Sequence, residues 1–302
     1  MAFSVLILGS GSALPTISSN QTSQVVESGN SLFLIDCGEG TQIELRRNKV
    51  KVQKIDHIFI SHLHGDHFFG LVGLMSTMHL LGRKKELTIH GPKGLDEIIQ
   101  IHFRNAGSHL SYDMKFEQIK ESGQLLYEDS KIKISSLPLK HRILCFGFLF
   151  EEKNKPRKLI GKALEDFKIP NYSRKSITEG KDFITESGDL IKNGILTKDP
   201  EKPKSYAYCS DTAYYTKLIN SLPSVDLLYH ESTFLEEDRV RAKKTFHSTA
   251  KDAANVAKEI NATKLLLGHF SNRYENKELF ISEAKEIFEN TEIAIEGKTF
   301  TI

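Results

Sequence analysis

The chain has 302 residues, with 41 Lys and Arg against 39 Asp and Glu and a formal net charge of +2. That length allows two domains or one large α/β domain with an insertion, and suffices for a sizeable core. The near-neutral total excludes a strongly polyionic chain, although a local basic patch can hide in it. Cys37, Cys145 and Cys209 are far apart with no CxxC, which speaks against a disulfide framework and for a reducing, cytoplasmic setting.

The opening run "FSVLILG" lacks a basic flank and is far too short to span a bilayer. It reads as a first core strand, and no other apolar run suggests a membrane helix, so no membrane partner is expected. Further strands are predicted at "SLFLIDCG", "HIFISH", "ELTIHGP", "MKFEQI", "IKISSLPLKH" and "CFGFLFEE". Helical spacing follows several of them, in "TQIELRRN", "DHFFGLVGLMSTMHLLG" and "GLDEIIQIHFRNAG". The second half repeats the scheme. "SYAYCSD", "VDLLYHES", "KLLLGHFS" and "EIAIEG" read as strands, while "TAYYTKLINSL", "STAKDAANVAKEINA" and "KELFISEAKEIFEN" read as helices. Thr249 and Asp252 have the spacing of a capping box. Short strands alternating with helices in both halves predict an α/β sandwich, with two sheets inside and helices outside.

Between Glu151 and Lys204 the chain turns polar and Lys-rich. A compact domain seldom carries so long a loop without a role. The expectation is a single domain over residues 1–302 with an inserted, protruding segment at about 151–204, carrying one short helix at "KALEDF".

The chemistry concentrates in "SHLHGDH", Ser61 to His67, directly after a strand. His62 and His64 can aim two imidazoles at one ion, while Asp66 and His67 can aim at a second. Imidazole with carboxylate suits Zn2+, with Mn2+ or Fe as rivals. Two ions need more ligands, and three residues end apolar strands elsewhere: His141, Asp211 and His269. The expected sets are His62, His64 and His141 on one ion and Asp66, His67 and His269 on the other, with Asp211 bridging. That leaves an open position on each ion, the mark of a catalytic site. Such a pair activates water and steadies the attacking and leaving oxygens of an in-line displacement.

Taken in order, "SHLHGDH", His141, "SDT" and "GH" resemble the metallo-β-lactamase superfamily, which spans many substrates. "YHESTF" (229–234), "FHSTA" (246–250) and "IDCGEGTQ" (35–42) make the resemblance specific to the ribonuclease Z family, short form, along nearly the whole chain. That resemblance implies an αβ/βα sandwich with a protruding arm, two Zn2+ per subunit and a cytoplasmic homodimer acting on precursor tRNA. It implies a cut after the discriminator nucleotide that leaves a 3′-hydroxyl on the tRNA and a 5′-phosphate on the trailer. It also gives roles. Asp66 orients or deprotonates the attacking water, and His247 protonates the leaving oxygen with Glu231 orienting it. Without the motif, His247 would read as a surface histidine near a helix start. Arg273 can bind phosphate near the cut. The inserted arm, through residues such as Lys158, Arg174 and Lys175, can contact the RNA backbone, which adds affinity without sequence readout. Two features depart from the family: "PTISSN" (15–20) lacks the usual basic residues, and the arm has no Gly-Pro tip. The competing reading is a phosphodiesterase of the same fold acting on small substrates.

Overall fold

The computed structural model describes residues 3–302, and strand alternation sets its layering. Along Phe3–Gly9, Val5 and Ile7 face one side and Leu6 and Leu8 the other, as the two-residue period of a strand requires. The same alternation sends Phe33 and Ile35 inward with Leu34 outward, and Tyr206 and Tyr208 inward with Ala207 and Cys209 outward. Two sheets of seven strands result. The first runs Thr299–Thr301, Phe3–Gly9, Ser23–Ser28, Ser31–Ile35, Ile55–Phe59, Leu87–Gly91, Met114–Gln118. The second runs Thr291–Ile293, Lys264–Gly268, Leu227–Glu231, Ser205–Cys209, Phe146–Glu152, Ile132–Pro138, Leu125–Glu128.

Their inner faces meet in one aromatic-rich core that includes Phe3, Phe33, Phe59, Phe148, Phe150 and Tyr206. Burying a side chain of this size stabilises by about 1.5–3 kcal/mol. Helices Leu71–Leu80 and Leu95–Asn105 cover the outer face of the first sheet, and Ala250–Glu259 that of the second. The predicted capping box forms: Thr249 Oγ1 accepts from Asp252 N at 3.2 Å, and Asp252 accepts from Thr249 N at 3.1 Å. The expected α/β sandwich is therefore present, as four layers.

Details differ from the sequence reading. "DHFFGLVGLMSTMHLLG" is two helices, Gly65–Phe68 and Leu71–Leu80. They part at Gly70, where an added Cβ would lie 2.1 Å from the Gly38 carbonyl oxygen, an approach only glycine permits. Of "EIAIEG" only Glu292 and Ile293 are strand, in Thr291–Ile293, and the chain then turns back to pair Thr299–Thr301 with Phe3–Gly9. Ser23–Ser28 adds a strand beyond those predicted from the sequence.

Residues Glu152–Pro203 form a second compact unit. It holds helices Gly161–Asp166, Arg174–Thr178 and Asn193–Leu196, and two short antiparallel strand pairs. Leu164, Ile169, Ile177, Ile191 and Leu196 make a small core of its own. Buried Asn193 ties it together, its Nδ2 donating to the carbonyls of Ile177 (2.7 Å) and Lys181 (2.8 Å). Among the described residues, no helix is long and apolar enough to cross a membrane.

Candidate metal centre

The strands deliver their chemistry at their C-terminal ends. Asp36 follows Ser31–Ile35, Ser61 and His62 follow Ile55–Phe59, Asp211 follows Ser205–Cys209, Glu231 ends Leu227–Glu231 and His269 follows Lys264–Gly268. Asp36 and His269 have φ of 53° and 59°, a left-handed backbone that costs about 1–3 kcal/mol and persists only where the surroundings impose it.

Two groups that could each hold a metal ion form there. In the first, His62 Nε2 lies 3.0 Å and His141 Nε2 3.2 Å from His64 Nδ1, and both lie 3.6 Å from Asp211 Oδ2. In the second, His67 Nε2 is 3.5 Å from Asp66 Oδ2 and 3.3 Å from Asp211 Oδ1. His269 Nε2 is 3.6 Å from Asp66 Oδ2 and 3.0 Å from Asp211 Oδ1. Four ligands at about 2.1 Å around a tetrahedral ion stand roughly 3.4 Å apart, which is the spacing seen in both groups. Asp211 gives one oxygen to each.

The partners behind these histidines fix which nitrogen is free. His67 Nδ1 donates to Asp36 Oδ2 at 2.8 Å. His141 Nδ1 donates to the Phe246 carbonyl at 3.0 Å. Thr233 Oγ1 donates to Glu231 Oε2 (2.8 Å), so it accepts from His269 Nδ1 at 2.9 Å. Ser61 Oγ donates to Asp36 Oδ2 (2.9 Å), so it accepts from His62 Nδ1 at 3.0 Å. In all four rings the Nδ1 proton is engaged away from the cluster, so Nε2 is the atom that faces it and the one that can give a lone pair to an ion. For His67 and His269 that atom is buried without a hydrogen-bond partner, an arrangement that costs free energy unless a ligand meets it.

The charges agree. Burial disfavours a cation at His67, yet Asp66, Asp211 and Asp36 outweigh it and hold its pKa well above the ordinary value. Burial likewise opposes charge on Asp211, but His269, His67 and His62 hold its carboxyl well below the usual range. The His62 pKa is pushed well down by burial and by His67, which leaves a neutral ligand. The buried carboxylates thus draw positive charge into the cluster, and carboxylates with imidazoles are the donor set that suits a divalent cation.

Beside the first group stands His247, whose Nδ1 donates to Glu231 Oε1 at 2.8 Å and whose Nε2 lies 3.9 Å from Asp211 Oδ2. Glu231 is fully buried and also accepts from Thr212 N (3.0 Å) and Thr233 N (2.9 Å). Burial works against a charge on His247, but Glu231 and then Asp211 prevail and raise its pKa to about 9. The cluster opens into a cleft of about 740 Å³, lined also by Phe69, Arg142, Lys244 and Thr245.

Residues 3–154, half of the chain, match the family model described as Anti-Pycsar protein Apyc1, which places the chain in that family by its first half. The structure resembles the crystal structure of the metallo-beta-lactamase fold protein YhfI from Bacillus subtilis, with a TM-score of 0.71 at 20% identity over 100% of both chains. It resembles human tRNase Z, short form, with a TM-score of 0.70 at 24% identity over 99% of both. The Ribonuclease Z of Bacteroides fragilis is 45% identical over 296 residues, 98% of this chain and 97% of that protein. The chain belongs to the ribonuclease Z family.

The match over residues 3–154 ends before Asp211, Glu231, His247 and His269, so "HEST" and "FHST" lie outside it, in a part of the chain that the Ribonuclease Z relative covers. The structure brings together all seven expected ligands with Glu231 and His247. Arg273 is exposed, its guanidinium 6.0 Å from the Phe234 ring centroid. Lys158 lies 3.6 Å from Glu201, and Arg174 and Lys175 are exposed at the start of helix Arg174–Thr178. Asp36, Ser61, Thr233 and the Phe246 carbonyl, with the cleft cations Arg142 and Lys244, are site groups that the sequence motifs do not mark. A strand-end aspartate in "IDCGEG" was the available signal for Asp36.

Proposed function

We propose that the protein is a zinc-dependent endoribonuclease that removes the 3′ trailer from precursor tRNA, leaving a 3′-hydroxyl on the tRNA and a 5′-phosphate on the trailer. As a member of the ribonuclease Z family it is a hydrolytic endonuclease. The observation that carries the finer reading is the His247–Glu231 pair standing beside two ligand groups that share Asp211.

His62, His64, His141 and Asp211 would hold one zinc ion, and Asp66, His67, His269 and Asp211 the other. When bound, the ions supply a water nucleophile at neutral pH and stabilise charge on the phosphate oxygens. Asp66, held by the Ala13 N–H at 2.8 Å, orients the attacking water and takes its proton. As the bond from phosphorus to the 3′-oxygen breaks, His247 passes the proton on its Nε2 to that oxygen, which gives the 3′-hydroxyl. Glu231 orients the imidazole through Nδ1 and favours its cationic form.

The unit Glu152–Pro203 serves as the tRNA-binding arm, with Lys158, Arg174 and Lys175 on phosphates and Arg273 near the cut. Recognition by shape and backbone suits an enzyme that handles many tRNAs. Two copies work together as a homodimer in the cytoplasm, a setting that the buried free thiols of Cys37, Cys145 and Cys209 suit. The test is kcat/KM for a trailer-bearing precursor tRNA against that for a small chromogenic phosphodiester, on one zinc-loaded sample. A large preference for the tRNA supports the reading. Brisk turnover of the small ester with none of the tRNA moves the protein to the phosphodiesterases.

A further inference from the structure

Glu296, close to the C-terminal strand, gathers donors from the other end of the chain. Its carboxylate accepts from Ser10 N (3.3 Å), Ser10 Oγ (3.4 Å), Ser19 Oγ (3.0 Å) and Asn20 Nδ2 (2.6 Å). Asn20 N reaches both oxygens, at 3.0 and 3.2 Å. All of these donors are neutral, so the carboxylate's charge is met by fixed dipoles and its position is tied to theirs. Ser10 and Asn20 are the two ends of a loop whose tip, residues 13–18, is exposed.

From that tip the Ala13 N–H donates to Asp66 Oδ2 at 2.8 Å. This is the same oxygen that stands 3.5 Å from His67 Nε2 and 3.6 Å from His269 Nε2. Ala13 has φ of 55°, a left-handed conformation that a non-glycine residue keeps only under constraint. Its carbonyl accepts from Gln21 Nε2 at 2.9 Å, and Gln21 Oε1 in turn accepts from Glu39 N at 2.9 Å. The tip is therefore held at Gln21 and the base at Glu296.

We propose that Glu296 is a positioning residue for the second ligand group, fixing the base of the 10–20 loop so that the Ala13 amide orients the Asp66 carboxylate. The inference rests on the metal-centre reading above, and it is specific. The first group is oriented by Ser61 and the Phe246 carbonyl, so loosening the loop reaches one ion and not the other. Partners behind metal ligands typically control affinity or activity by about 10–100-fold.

The experiment is a zinc titration of metal-stripped protein against a chromogenic chelator, for the natural chain, Glu296→Ala and Asn20→Ala. The expected result is two binding steps in the natural chain, with one weakened about 10–100-fold in Glu296→Ala and the other unchanged. Turnover of a small phosphodiester by the variant should recover as free zinc is raised, which a merely structural lesion would not do. Asn20→Ala, which removes one donor to Glu296, should weaken the same step by less and keeps the test open if Glu296→Ala does not fold. Unchanged steps in a folded variant, or both steps weakened alike, overturn the proposal alone. A natural chain that takes up no pair of ions overturns the metal-centre reading and this inference with it.

Discussion

Asp36→Asn should damage the second ligand group while changing only one atom's chemistry. The Asp36 carboxylate is fully buried and meets only donors: Ser61 N on Oδ1 at 2.7 Å, and Ser61 Oγ (2.9 Å), His67 Nδ1 (2.8 Å) and Tyr208 OH (2.7 Å) on Oδ2. An asparagine can keep its oxygen toward Ser61 N, and the two hydroxyls can turn to accept. The imidazole cannot adapt without cost, because its Nδ1–H would face an NH2 group. Either that hydrogen bond is lost, at about 1.5–3 kcal/mol for a bond to a charged group, or the ring moves its proton to Nε2 and gives up its ligand lone pair. The expected outcome is a folded variant about 1.5–3 kcal/mol less stable in urea, with one of two zinc-binding steps weakened about 10–100-fold. Denaturant unfolding of the stripped protein and a chelator-competition titration read the two effects separately. An Asp36→Asn protein with undiminished zinc affinity would refute the reasoning that Asp36 sets the His67 tautomer.

His247→Ala should retain both ions yet lose about 10²–10⁴ in kcat on precursor tRNA; undiminished turnover would remove His247 from the mechanism. The pH profile carries a sign. His247, raised to about 9 by Glu231 against the pull of burial, is a proton donor below that pH and ceases to be one as pH rises through it. In Glu231→Gln the basic limb should fall back toward about 6.5, costing ~30-fold at pH 8 and little at pH 6; a limb that stays put contradicts the pairing. Replacing Glu152–Pro203 by a short turn should abolish tRNA cleavage and spare a small phosphodiester. The gap closes easily, because Glu151 already faces Ser205 in an antiparallel pair; equal loss of both activities in a folded, metal-loaded variant would sink that division of labour. Chelation should abolish both activities, and zinc should restore them.

What could be read from the sequence was whatever lies in local spacing. The HxHxDH loop and three polar residues at the ends of apolar strands pick out the residues that gather in the cluster, because a strand delivers its next residue to the sheet edge. Asp36 obeys that rule as well, but its role exists only through His67 and Tyr208, the latter 172 residues away. Thr233 could not be assigned to His269 without knowing that its proton goes to Glu231. The break at Gly70 depends on the Gly38 carbonyl, a contact that helical periodicity does not contain. In Glu152–Pro203 the apolar residues are too sparse to show periodicity, although Ile177, Ile191 and Leu196 do assemble a core.

The most direct measurement uses a 5′-labelled precursor tRNA with a 3′ trailer, incubated with the zinc-loaded protein, with the cut and its end groups mapped. The account predicts one cut after the discriminator nucleotide, with a 3′-hydroxyl on the tRNA. An uncut tRNA, or a cut that leaves a 3′-phosphate, would contradict it.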